Sequence, residues 1–188
     1  MRQISFPGFT LIELLVVVTI IGILLVVLLP SYSMLGAKTR LQNGVDAITQ
    51  MIDQARTYAV SGYKSQAGDP GLSVVGVEMH QGDNTFLLFS CPLLANTEIP
   101  CDLMSKHKIQ QEQLGDIVLR SLSNTEQAPV SYTTALILFP PPFGNGMVVA
   151  DGHVQKTALV MEIGVGMMQN ALMKKLEYVP ATNRVNDE

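Results

Sequence analysis

Few residues of this 188-residue chain are placed to do chemistry. Glu13 is the one ionisable group between Phe9 and Leu29, and from Leu14 to Leu29 the run is broken only by Thr19 and Gly22. A carboxylate near the start of a membrane helix costs roughly 2–3 kcal/mol on insertion scales, so its retention implies a partner and a task. Cys91 and Cys101 enclose nine residues. In an oxidising compartment they can close a loop worth about 2–3 kcal/mol; elsewhere they read as two buried thiols. His80, His107 and His153 are scattered, none at ligand spacing from both cysteines, so no metal site is expected. Asp151, followed by Gly152, reads as a turn residue, and Glu162 and Glu177 as solvent-facing strand positions. There is no Gly-x-Ser-x-Gly, phosphate loop or His-Glu-x-x-His. No catalytic residue and no cofactor are expected, and the chain does not read as an enzyme.

Glu13 must therefore be explained by the element that carries it. The 21 residues Phe9–Leu29, as a helix, span roughly 30 Å, the thickness of a bilayer core. A cleaved secretory signal has a shorter apolar stretch and a small-x-small site, and Leu29-Pro30-Ser31-Tyr32 is a poor one. A plain signal anchor fits the length and leaves Glu13 unexplained. Flanking charge does not orient the span, because Arg2 and the starting amine are matched by Lys38 and Arg40.

The stretch Phe6-Pro7-Gly8-Phe9-Thr10-Leu11-Ile12-Glu13-Leu14 closely resembles the class III leader of type IV prepilins and type II secretion pseudopilins. The resemblance implies that Met1–Gly8 is a leader and Gly8–Phe9 the scissile bond. It further implies that a prepilin peptidase on the cytoplasmic side cuts there and that Phe9 is then N-methylated. Gly8 suits an extended backbone entering a protease cleft. The new amine and Glu13, one helical turn away, are natural counter-charges within a subunit or between neighbours in a filament. A buried pair of this kind adds little net stability, whereas an unpaired member is severely penalised, so the pair sets register. The implied partners are the peptidase and methyltransferase, other pilin or pseudopilin subunits, an inner-membrane assembly platform and membrane lipid. The implied location is a single-pass inner-membrane precursor with its head outside the cytoplasm, then a cell-surface or periplasmic filament.

Pro30 follows the apolar run and is expected to kink the helix. Beyond it Leu41, Val45, Ile48, Ile52, Ala55 and Ala59 follow 4-3-4-3-4 spacing, a buried stripe on an amphipathic helix that ends near Ser61. Gly36 and Gly44 weaken it locally. The chain then reads as β. Leu72–Met79 and Thr85–Ser90 flank a Gln81–Asn84 turn; Asp116–Leu122 and Val130–Phe139 follow, the latter stopped by Pro140–Pro142. Gly146–Ala150 and His153–Ile163 form a hairpin through Asp151-Gly152. Gly166–Val179 is open between helix and strand, with strand favoured for Lys174–Val179, and the tail after Pro180 reads as frayed.

The expected organisation is a leader (1–8), a membrane and filament-core half-helix (9–29), an amphipathic half-helix (30–62), a β-rich head (63–180) and a polar tail (181–188). The fold class is α+β, a long N-terminal helix on an antiparallel sheet, the pilin shape. The Ala55–Ala59 helix end and the Phe139–Phe143 run loosely resemble GspH/FimT-type minor pilins and pseudopilins. Gly22 either lets helices approach closely or only adds flexibility.

Composition agrees with a folded, partly membrane-inserted chain: 47% of residues are hydrophobic and 15% charged. Twelve basic against sixteen acidic residues give net −4, and loss of Arg2 with the leader makes this −5. No basic stripe exists beyond Lys174-Lys175, so DNA binding is not expected. The function implied is that of a structural filament subunit, a minor pilin. The rivals are a minor pseudopilin of a type II secretion system and a signal-anchored extracytoplasmic binding domain that never polymerises.

Overall fold

A computed structural model describes residues 10–64, 71–95, 97–126, 129–166 and 172–187, with the side chains of 27–34 outside that description. Helix α1 runs from Leu11 to Val60 and is assigned without interruption through Pro30. The chain divides into two units, Met1–Thr39 and Arg40–Glu188.

In the second unit the expected stripe is the buried edge of the helix. Leu41, Val45, Ile48, Ile52, Ala55 and Ala59 are each no more than 4% exposed, and Met51 joins them. The helix closes on Gly62, whose φ of 70° places it in the left-handed region. Its amide donates to the Ala59 carbonyl and that of Tyr63 to the Tyr58 carbonyl, the paired bonds that a glycine just past a helix end allows.

One antiparallel sheet was the expectation; the structure builds two. The strands are β1 (Ser73–His80), β2 (Thr85–Pro92), β3 (His107–Gln113), β4 (Ile117–Asn124), β5 (Thr134–Phe139), β6 (Met147–Ala150), β7 (His153–Gln155), β8 (Leu159–Val165), β9 (Met173–Val179) and β10 (Arg184–Asp187). The first sheet has the order β3-β2-β1-β5-β6-β7 and the second β10-β9-β8-β4, with every pairing antiparallel. The helix stripe shares one core with Val75, Val77 and Ile137 of the first sheet and Leu119, Met161 and Tyr178 of the second.

Several expected strands change at their ends, each for a local reason. The predicted strand His153–Ile163 is two strands, because the chain leaves the first sheet after Gln155 and enters the second at Leu159. The predicted strand Val130–Phe139 begins only at Thr134. At its start the amides of Thr133 and Thr134 donate to the Asp151 carboxylate at 3.1 and 2.8 Å. Strand β3 was not anticipated: its sequence His-Lys-Ile-Gln-Gln-Glu-Gln is an exposed sheet edge with no apolar alternation. The tail expected to fray is strand β10, paired with β9.

That last correction rests on one buried phenol. Tyr178 Oη donates to Asn183 Oδ1 at 3.0 Å, and the Gly146 amide donates to the same oxygen at 2.6 Å. Asn183 takes a positive φ of 52°, which turns the chain back on itself. Position 146 has room for no side chain, since a Cβ there would coincide with the Tyr178 hydroxyl.

The first sheet is buried on both faces. Val75, Val77 and Met79 face the helix core, whereas Val74, Leu136, Leu138 and Val149 form a second cluster on the opposite face. The segment from Leu93 to Lys106, with a 3-10 turn at Leu103–Ser105, supplies Ile99, Cys101 and Leu103 to that cluster.

Candidate functional site

Gly8 and Phe9 lie outside the described residues, which begin at Thr10. Thr10 opens the helix as its N-cap: its side-chain oxygen accepts from the Glu13 amide at 3.3 Å, and its carbonyl accepts from the amides of Glu13 and Leu14. Glu13 thus stands at the third helical position, exposed, where a carboxylate is favoured by the unpaired amides of a helix start.

Around and beyond this carboxylate the helix is a bare apolar rod. Every large apolar residue from Leu11 to Val26 is between 47% and 83% exposed. Thr19 turns its hydroxyl back to the carbonyls of Leu15 and Val16, which leaves no donor projecting from this face. Gly22 has nothing within 4 Å of where a Cβ would stand, so no contact among the described residues requires a glycine there. The side chain of Pro30 lies outside the described residues. Among the described residues no helix is long and apolar enough to cross a membrane; the described side chains of this run end at Val26, three residues before Leu29.

The remaining sequence candidates fall in the head. Cys91 and Cys101 are joined by a disulfide, with Cα atoms 5.6 Å apart. Asp151 and Gly152 take φ of 47° and 83°, the two positive values of a tight hairpin turn, and Asp151 is consumed by the amides of Thr133 and Thr134. His80 Nδ1 lies 3.1 Å from Thr134 Oγ1. Glu162 is half-buried and accepts from the Ser121 hydroxyl at 2.8 Å, so it is not the solvent-facing group expected. Lys174 is held by Asp187 at 2.6 Å and by Gln42 at 2.8 Å, and that lysine keeps the Asp187 carboxyl below its ordinary range. No group of three or more potential metal ligands occurs among the described residues.

Two polar features escaped sequence reasoning. Glu78, only 9% exposed, lies in the apolar strand β1 and pairs with Lys106 Nζ at 2.7 Å. A lone acid among Val-Val-Gly-Val-Glu-Met was the available signal. Arg40 pairs with Asp116 at 2.7 Å near the solvent, a contact across 76 positions that no local pattern announces.

The site with a coherent chemistry is therefore the capped, exposed apolar helix and its single carboxylate. No solved structure matches the chain. Residues 7–29 match the family model of the prokaryotic N-terminal methylation motif. That motif is the class III leader typical of type IV pilins and pseudopilins, and this chain carries it at its N-terminal end.

Proposed function

We propose that the protein is a structural subunit, a minor pilin, of a type IV pilus-like filament. It is made as a membrane precursor held by the helix at 9–29, cut between Gly8 and Phe9 by prepilin peptidase, methylated on Phe9 and moved from lipid into a helix-packed filament core. The observation that carries this reading is the exposure of every large apolar side chain from Leu11 to Val26 immediately after a leader motif. So much apolar surface is stable only against lipid or against other helices. Exchange of one for the other carries no large hydrophobic gain, because lipid tails are as apolar as leucine. Selection of the seated position then falls to the polar groups. The Phe9 amine and the Glu13 carboxylate are both expensive to leave unpaired in an apolar setting, and a subunit comes to rest where they meet. Glu13 is accordingly the registering residue, Gly22 a place for close helix approach, and the head the outward surface.

The test is Glu13→Gln in the full chain, produced with the peptidase and assembly machinery. The precursor is expected to be processed normally while the amount of subunit in sheared filaments falls at least about tenfold, since a lost buried pair of this kind is worth several kcal/mol. Filaments at the parental level would overturn the assignment of Glu13 and with it this mode of assembly.

A further inference from the structure

We infer that Leu93–Lys106 is a reducible cover, a segment whose closure over the outer face of the first sheet is set by the Cys91–Cys101 disulfide. The surface beneath it is apolar: Val74, Phe89, Leu136, Leu138 and Val149 form a cluster on the face turned away from the helix core. Without the cover this face would be a contiguous apolar patch on a head whose other sheet face is already filled. The cover meets it through Ile99, Cys101 and Leu103 and contributes little else, as Leu93, Leu94 and Met104 are 39%, 40% and 98% exposed. A segment with so few buried apolar contacts does not hold itself down and depends on its fastenings.

Besides backbone bonds from the Leu93 amide to the Leu72 carbonyl and from the Asp102 amide to the Pro92 carbonyl, two side-chain fastenings of different chemistry hold it. Within the segment the disulfide ties Cys101 to Cys91 of β2, beside the Leu93–Cys101 bridge and the Leu94 amide bond to the Pro100 carbonyl. At the C-terminal end of the segment, Lys106 Nζ pairs with the buried Glu78 at 2.7 Å and sits 5.3 Å above the centre of the Phe89 ring. Between them the 3-10 turn is capped by Asp102, whose carboxylate accepts from the Ser105 hydroxyl and the Met104 amide; those bonds hold its pKa below the ordinary value. Reduction by a dithiol takes two electrons and two protons to the sulfurs of Cys91 and Cys101, breaks their bond and leaves the dithiol as its own disulfide. The covalent fastening is then gone while β1, β2 and β5 keep their ladder bonds. The head therefore has two forms of the same sheet, closed where thiols are oxidised and open where they are not. This inference is independent of the leader and of filament assembly.

Hydrogen–deuterium exchange of the full chain in detergent, before and after reduction with dithiothreitol, tests it. Amides of Leu94, Asp102, Met104 and Ser105 are expected to exchange at least about tenfold faster on reduction while those of β1 and β5 stay protected, the signature of a local opening. A second variant, Lys106→Gln with the disulfide intact, is expected to speed exchange at Met104 and Ser105 and to leave Leu94 unchanged. Unchanged exchange of the segment after reduction would overturn the proposal, as would loss of protection in the segment and in β1 and β5 together.

Discussion

The two halves of helix α1 differ in what satisfies them. From Leu41 to Ala59 apolar residues recur at helical spacing and each is buried, with polar residues left to the other faces. From Leu11 to Val26 apolar residues occupy all faces and each is exposed. The first pattern is complete within one chain, since two sheets cover the stripe. The second has nothing within the described residues to cover it. An element apolar all round belongs in a membrane or in the centre of a larger assembly; of the polar residues inside it Thr19 satisfies its hydroxyl on the helix itself, so Glu13 carries the information. A stability measurement on the isolated protein should see one half of the helix and be blind to the other.

The widest separation is expected from paired truncations. Ile48→Ala, in the buried stripe, should cost the head about 2–5 kcal/mol, the range for deleting a large buried aliphatic side chain. Leu24→Ala, in the exposed half, should leave the unfolding midpoint of the head unchanged. Thermal unfolding of detergent-solubilised protein, followed by near-ultraviolet circular dichroism, reads both; a comparable loss from Leu24→Ala would break the distinction between the halves.

Smaller, and confined to the head, is the effect of Gly146→Ala. The new methyl must displace the Tyr178 hydroxyl from Asn183, so a destabilisation of about 1–3 kcal/mol is expected, as for other overpacked sites. Chemical denaturation checks it, and a neutral result would detach β10 from the account of the head given above.

The smallest effect is a slope. Burial holds the Tyr178 phenol above its ordinary pKa of 10.0, and the nearby Arg56 offsets this only in part. Between pH 10 and that raised value the unfolded chain gives up a proton that the folded chain keeps, so stability falls as pH rises through this window. Tyr178→Phe should flatten this alkaline limb, leaving the weaker contribution of Tyr132, whose phenol is also raised by burial. Unfolding midpoints between pH 9 and 11 measure it, and an unchanged slope would mean that Tyr178 is not the buried group responsible.

What the sequence disclosed follows the range of the physics involved. Periodicity is local, so the stripe Leu41–Ala59 and the α+β class were legible, and so was the Asp151-Gly152 hairpin, where two adjacent residues determine the backbone. The leader motif was legible because its chemistry is written in consecutive residues. Strand β3 was not, since an exposed edge needs no apolar alternation. Nor was β10, whose order depends on Asn183 meeting Gly146 across 37 positions. The division into two sheets also escaped, because the crossing at residues 156–158 carries no turn signal stronger than those elsewhere in the chain. The buried Glu78 could be seen as odd, but its partner Lys106 lies 28 positions away.

The central claim is that this helix becomes the anchor and filament core of a processed subunit whose first residue is Phe9. N-terminal peptide mass analysis of the protein recovered from sheared surface filaments tests it most directly. The account predicts a chain that begins at N-methylated Phe9, with Met1–Gly8 absent. A chain that still begins at Met1, or one cut at any bond other than Gly8–Phe9, would contradict it.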